Sequence, residues 1–289
     1  MKNKNIDELK KLAESGNAEA MYFYARKQYY GMETEQNYNL AFEWYNKAME
    51  NGNLDAMYMT AFCLYNGKGC EQNFNKAFNI FNDLYNLEKK EDTLYMLGEC
   101  YYEGRGVTQD YNKAFEIFKE LVEDKKYDTA KYLYAICYYD GYGIEKNYNK
   151  AFELFNELVT NNEDDYESKL CLAEMYHDGL GTDIDLNKSF VYYMECAEKG
   201  NDHAQFWIGY MYFHGEGVEQ SDKEAIKWLE SAVKQNNDMA QWLLGVLYIE
   251  GMENEIDVEQ DIEYGKELLN KSAQQGNEAA IKKLQEMNI

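Results

Sequence analysis

Residues 97–118 read LGECYYEGRGVTQDYNKAFEIF, and the string returns with variations along the whole chain. Its pivot is Gly104. Equivalent glycines stand at Gly31, Gly67, Gly141, Gly179, Gly215 and Gly251, with successive steps of 36, 37, 37, 38, 36 and 36 residues. Six places before each pivot sits a small residue: Ala25, Ala61, Gly98, Ala135, Ala173, Gly209 and Gly245. Ten places after, small residues recur at Ala41, Ala77, Ala114, Ala151, Ser189 and Ala225. A register held this long marks a stacked-repeat architecture.

Each unit reads as two helices. The pivot glycine suits the left-handed residue just past the end of the first. Six places later come Asn37, Asn73, Asp110, Asn147, Asp185 and Ser221. All are preferred N-caps, whose side-chain oxygen accepts an orphan backbone N–H, so each opens a second helix. Within it, Ala114, Phe115, Phe118 and Leu121/Val122 keep helical spacing. The small residues allow close helix approach. A second glycine follows the pivot at Gly69, Gly106, Gly143, Gly181 and Gly217, while the first and seventh units carry Glu33 and Glu253 instead. The seventh unit also holds about four extra residues within 253–260, before a cap expected at Asp261.

The expected fold is all-α: a right-handed α/α superhelix of seven helix-turn-helix units in one repeat domain spanning residues 1–289. The units are 17–52, 53–90, 91–126, 127–165, 166–201, 202–237 and 238–277. Residues 1–16 and 278–289 hold lone helices that cover the outermost apolar faces, as solenoid ends require.

Leu97, Gly98, Tyr101, Gly104, Gly106, Val107, Asp110, Lys113 and Ala114 together resemble the Sel-one-like repeat, a relative of the tetratricopeptide repeat. The resemblance runs over about residues 17–276. It implies a right-handed α-solenoid acting as a non-catalytic scaffold or adaptor for a polypeptide partner. It also implies that positions nine, five, two and one before each pivot face a concave groove. The nine-before column is Tyr22, Tyr58, Tyr95, Tyr132, Leu170, Phe206 and Trp242, which core packing would also explain. The two-before column is Tyr29, Tyr65, Tyr102, Tyr139, His177, Phe213 and Ile249. Expected partner contacts are Tyr29, Tyr65, Glu99, Tyr102, Glu103, Tyr139, Asp140, Glu174, His177, Tyr210 and Phe213.

Composition narrows the partner. Asp and Glu number 53 against 29 Lys and Arg, a net charge of −24. That disfavours nucleic acid and anionic membrane surfaces, which need positive charge. It favours a basic or amphipathic polypeptide. No apolar run is long enough for a membrane span, so no membrane insertion is expected. The first sixteen residues lack a secretory apolar run. Proline is absent, which permits uninterrupted helices.

Six cysteines invite a disulfide reading, yet Cys63, Cys100 and Cys137 occupy one register. Neighbouring packed helices lie about 8–10 Å apart, beyond the roughly 7 Å limit between bridged Cα atoms. Buried thiols and a cytoplasmic location are therefore expected. A zinc site would need three or four converging donors. His177, His214 and His203 with Glu174 and Asp178 are the only candidates, and no metal or cofactor is assigned. No catalytic residue is assigned either. The alternatives are a hydrolase using groove carboxylates and His, or a self-associating structural repeat protein.

Overall fold

A computed structural model describes residues 1, 3–251 and 260–287. Among these residues the chain forms sixteen α-helices and no strand. Contacts divide it into two compact units, Met1–Lys146 and Asn147–Ile289. The first holds α1 (Ile6–Glu14), α2 (Ala18–Tyr30), α3 (Tyr38–Glu50), α4 (Leu54–Asn66), α5 (Phe74–Glu88), α6 (Glu91–Glu103), α7 (Tyr111–Lys119) and α8 (Lys131–Asp140). The second holds α9 (Tyr148–Asn161), α10 (Tyr166–Asp178), α11 (Leu186–Glu198), α12 (Asp202–His214), α13 (Asp222–Lys234), α14 (Asp238–Glu250), α15 (Ile262–Gln274) and α16 (Glu278–Glu286).

The local signals act as their chemistry requires. Asn37, Asn73, Asp110, Asn147, Asp185, Ser221 and Asp261 each accept the backbone N–H three residues on. Gly31, Gly67, Gly104, Gly141, Gly179 and Gly215 are left-handed, with φ from 67° to 78°. The loop between is bonded back to the first helix. The Asp110 N–H donates to the Tyr101 carbonyl, and the Gln109 side chain donates to the Tyr102 carbonyl. Gln36, Gln72 and Gln220 repeat that second bond, so the orphan carbonyls of the last turn are satisfied.

The second glycine has a different cause. A Cβ on Gly106 would stand 2.1 Å from the carbonyl oxygen of Phe74, the first residue of the preceding second helix. Gly69 meets the Tyr38 carbonyl in this way, Gly143 that of Tyr111, Gly181 that of Tyr148 and Gly217 that of Leu186. The first unit departs because its neighbour is the lone α1. There Glu33 stands in the place of the glycine at φ 63°. Its carboxylate accepts the N–H of Ile6, the first residue of α1, and pairs with Lys27. Glu253 and the extra residues before Gln260 lie outside the described residues.

The core runs along the second helices. Fourteen places after the pivot come Tyr45, Phe81 and Phe118 in the first unit, and Phe155, Tyr193 and Leu229 in the second, all fully buried. The small residues receive them. A Cβ on Gly98 would approach Phe118 Cε1 to 2.6 Å, and one on Gly209 would approach Leu229 Cγ to 2.7 Å. At the ends, α1 buries Leu9 and Ala13, and α16 buries Ala280 and Leu284.

One junction is irregular. After Lys119 the chain makes a single π turn, Glu120–Asp124, and enters α8 through a 3-10 turn, Asp128–Ala130. Neither α6 nor α8 has a side-chain cap, since Lys90 and Ala130 stand where Asn53 or Asn201 cap other first helices.

Candidate functional site

The first helices present four rows of side chains, and their contacts differ. At Tyr65, Tyr102 and His177 the two-before side chain meets the residue between the two glycines of the next repeat. Arg105 lies over the Tyr65 ring at 5.4 Å and donates from Nη1 to the Tyr65 oxygen at 3.2 Å. The Tyr65 hydroxyl in turn donates to Glu103 Oε2 at 2.8 Å, and Arg105 Nε pairs with that same oxygen. Tyr142 meets the Tyr102 ring edge-on at 5.6 Å and stacks on Tyr111 at 4.3 Å. Glu216 Oε2 lies 3.1 Å from His177 Nε2. In the first repeat Lys68 lies over Tyr38, whose ring packs edge-on against Tyr29.

These contacts change the standing of the candidates. Tyr29 and Tyr65 are buried, at 9% and 6% exposure. Burial, aided by nearby Cys63, pushes the Tyr29 phenol up to about 12. Burial is also the main cause that raises Tyr65 and Tyr102. Tyr65, Tyr102 and His177 therefore link successive repeats, while Tyr29 packs on Tyr30, Tyr38 and Tyr45 of its own repeat. Sequence reasoning missed Arg105, Tyr142 and Glu216, their covering partners. The available signal was the chemical match of Arg with Tyr, Tyr with Tyr and Glu with His at a separation of about forty residues.

His177 is held between two carboxylates, Asp178 Oδ1 at 2.6 Å from Nδ1 and Glu216 Oε2 at 3.1 Å from Nε2. Only an imidazolium donates to both. Its pKa is raised: burial opposes the charge, and the bonds to Asp178 and Glu216 outweigh it. A raised folded pKa gives stability that is fully present below the ordinary value near 6.5 and is lost as pH rises through the folded value. The thermal melt of wild type should accordingly fall between pH 6 and 8.5 more than that of His177→Gln, followed by circular dichroism. Parallel pH profiles would show that the contact carries no charge.

The nine- and five-before rows are mostly half-buried, as are Tyr102, Tyr139, His177, Phe213 and Ile249 of the two-before row, and the one-before row is mostly exposed. Tyr22, Tyr58, Tyr95 and Tyr132 in the first unit, and Leu170 and Trp242 in the second, are half-buried; Phe206 is buried. The five-before side chains Arg26, Phe62, Glu99, Ile136, Glu174, Tyr210 and Val246 are all half-buried. At the edge, Tyr30, Glu103, Asp178, His214 and Glu250 are exposed, and Asp140 and Tyr139 half-buried. Glu99 accepts the Tyr95 hydroxyl at 2.9 Å, and its carboxyl pKa is raised chiefly by burial. In the second unit Tyr210 meets His214 at 4.3 Å and Trp207 at 5.5 Å, while half-buried Phe213 packs on His214 at 4.8 Å.

All six cysteines are thiols. Burial pushes Cys63, Cys100 and Cys137 up to about 12 and Cys196 up to about 11, so these sulfurs are unreactive packing groups. Among the described residues no group of three or more His, Cys, Asp and Glu side chains converges as a metal site requires. No described helix is long and apolar enough to cross a membrane.

Comparison with known proteins agrees with this geometry. A protective antigen of uropathogenic Escherichia coli strains, displaying an SLR fold, superposes with TM-score 0.74 at 27% identity, covering 96% of this chain. The chain spans 58% of the length of that protein. A Sel1 repeat protein from Oxalobacter formigenes superposes with TM-score 0.68 at 22% identity, covering 98% of this chain and 79% of its own. Yeast Tom70 shares the fold at TM-score 0.50 and 16% identity, over 96% of this chain and 56% of its own. No curated protein matches the sequence. The Sel1 repeat pattern itself matches seven times, at residues 18–53, 54–82, 92–123, 129–158, 168–201, 202–237 and 238–277. With its glycine loops, caps and stacked helix pairs accounted for, the chain belongs to the Sel1 repeat family.

Proposed function

We propose that this chain is a non-catalytic interaction scaffold that holds a basic or amphipathic polypeptide on its first-helix faces. The Sel1 fold is typically such a scaffold. The observation that carries the reading is the division of labour among the rows. Tyr29 and Tyr65 of the two-before row are buried, whereas the nine- and five-before rows leave half-buried aromatics such as Tyr58, Phe62, Tyr95 and Tyr210 on helices that also carry half-buried Glu99 and Glu174. Aromatic burial supplies affinity, and the acids steer a cationic partner and set its register. The thiol state of all six cysteines suits a reducing cytoplasmic setting.

The test separates face from net charge. An amphipathic Lys-rich helical peptide is titrated against wild type and two four-site variants. One neutralises Glu99, Asp140, Glu174 and Glu250 on first helices. The other neutralises Glu43, Glu116, Glu153 and Glu198 on second helices. The first set should weaken binding about tenfold, the 1.4 kcal/mol expected from a few partly screened pairs. The second set should change it less than twofold. Equal losses would mean that only the overall charge of −24 attracts the peptide.

A further inference from the structure

The junction before α6 breaks the repeat rule, and a cavity opens there. Where α2, α4, α12 and α14 begin with a capping Asn, this one begins with Lys90, whose side chain caps nothing. Lys90 instead reaches Glu88 at 2.9 Å and Asp55 at 3.4 Å. Beside it lies a cavity of about 220 Å³, bounded by Tyr22 of α2, Asp55, Tyr58 and Met59 of α4, and Glu88, Lys90, Asp92 and Thr93 at the α5–α6 junction. Two of its walls, Tyr22 and Tyr58, belong to the nine-before row and are half-buried.

Three features define what would fit. The walls carry three carboxylates, Asp55, Glu88 and Asp92, against one ammonium. Asp92 accepts the Tyr127 hydroxyl at 2.6 Å, which fixes one of its oxygens and leaves acceptor capacity over. The phenols of Tyr22 and Tyr58 sense those acids: burial is the main cause raising each, and next come Asp55 for Tyr22 and Asp92 for Tyr58. Thr93, 1% exposed, closes the floor of the cavity.

We propose that this cavity is a subsite for one cationic side chain, a lysine or arginine of the bound polypeptide. The ammonium or guanidinium sits between Asp55 and Asp92, with its methylene stem between the Tyr22 and Tyr58 rings, an arrangement that aromatic faces and carboxylates both favour. Lys90 is then the resident cation, holding Asp55 and Glu88 until the partner arrives. The proposal rests on the scaffold reading above and assigns it an anchor point.

The test uses N-acetyl-lysine methylamide as probe and the uncharged N-acetyl-norleucine methylamide as comparison, followed by amide shifts at Asp55, Asp92 and Thr93 in the full chain. The lysine probe should give saturable shifts in the millimolar range, and the norleucine probe none. Asp55→Asn/Asp92→Asn should weaken the lysine probe at least fivefold. Lys90→Met, which removes the competing cation, should tighten it three- to tenfold. Equal shifts from both probes, or unchanged lysine affinity in the Asn double variant, overturn the subsite. So does a Lys90→Met variant that binds no better, which also covers the case in which the Asn variant misfolds. The Lys-rich peptide distinguishes the two readings. If it loses affinity with the first-helix acid set and ignores Asp55→Asn/Asp92→Asn, the face stands and the subsite falls. If the lysine probe binds as expected and the peptide does not discriminate the two acid sets, the subsite stands and the extended face falls.

Discussion

Gly106→Ala is expected to cost about 3–5 kcal/mol, enough to melt much of the first unit at room temperature. The backbone there has φ 77°, and left-handed geometry alone costs a residue with a Cβ about 1–2 kcal/mol. The larger share comes from the approach. The new Cβ would stand 2.1 Å from the Phe74 oxygen, 2.5 Å from its carbonyl carbon and 3.0 Å from the Asn75 nitrogen. These are helix backbone atoms and cannot swing aside, so the two repeats must part, and overpacking of this kind costs about 1–3 kcal/mol or more. Gly52 supplies the control in the same unit. Its φ is 84°, yet a Cβ there meets nothing within 4 Å. Gly52→Ala should therefore lose only the conformational 1–2 kcal/mol. Urea midpoints of the two variants measure the difference. Equal losses would show that the second glycine serves its own turn and not the contact between repeats.

Phe118→Ala is the second large effect, a loss of about 3–5 kcal/mol, the usual range for deleting a buried phenyl ring. Phe118 is fully buried, with Tyr95 and Tyr102 rings each 6.3 Å away and Gly98 against its edge. Gly98 explains how the cavity would be refilled. A mid-helix glycine costs about 1 kcal/mol relative to alanine, and here it persists because a Cβ would meet the Phe118 ring at 2.6 Å. Gly98→Ala should thus destabilise the wild type and stabilise the Phe118→Ala background, a sign change that a double-mutant cycle reads directly. The same column offers a contrast at Tyr45, whose buried hydroxyl makes no hydrogen bond. Tyr45→Phe should be neutral or stabilising, since it keeps the ring and removes an unmet donor. If Phe118→Ala cost less than about 1 kcal/mol, the column would not be the spine of the repeat.

Much of the fold was legible because its signals are local. A pivot glycine ends a helix through its own φ, and Asp110 caps the next helix through a bond to Lys113, three residues on. Recurrence of such signals at one period establishes the stacked helix pairs without reference to any distant contact. Helical spacing marked Phe118 as apolar core and the small residues as points of close approach, while their pairing across two helices came from the structure. The junction at residues 120–130 was less so. Sequence carried the second helix through Leu121/Val122, where the structure makes a π turn, and the following first helix begins through a 3-10 turn because no side chain caps it.

The sequence by itself determined the repeat, its period, the helix ends and the acidic, aromatic character of the first helices, because each is written in residues within one turn or one repeat of each other. Only the tertiary structure decided which of these aromatics are tied into contacts between repeats. The two-before tyrosines looked like a binding ladder. In three dimensions the residue between the two glycines of the next repeat covers two of them, Arg105 on Tyr65 and Tyr142 on Tyr102. That cover depends on how closely successive repeats approach. The approach is set by a glycine whose recurrence is visible in the sequence, against a backbone carbonyl that any residue could supply and that the sequence therefore does not mark.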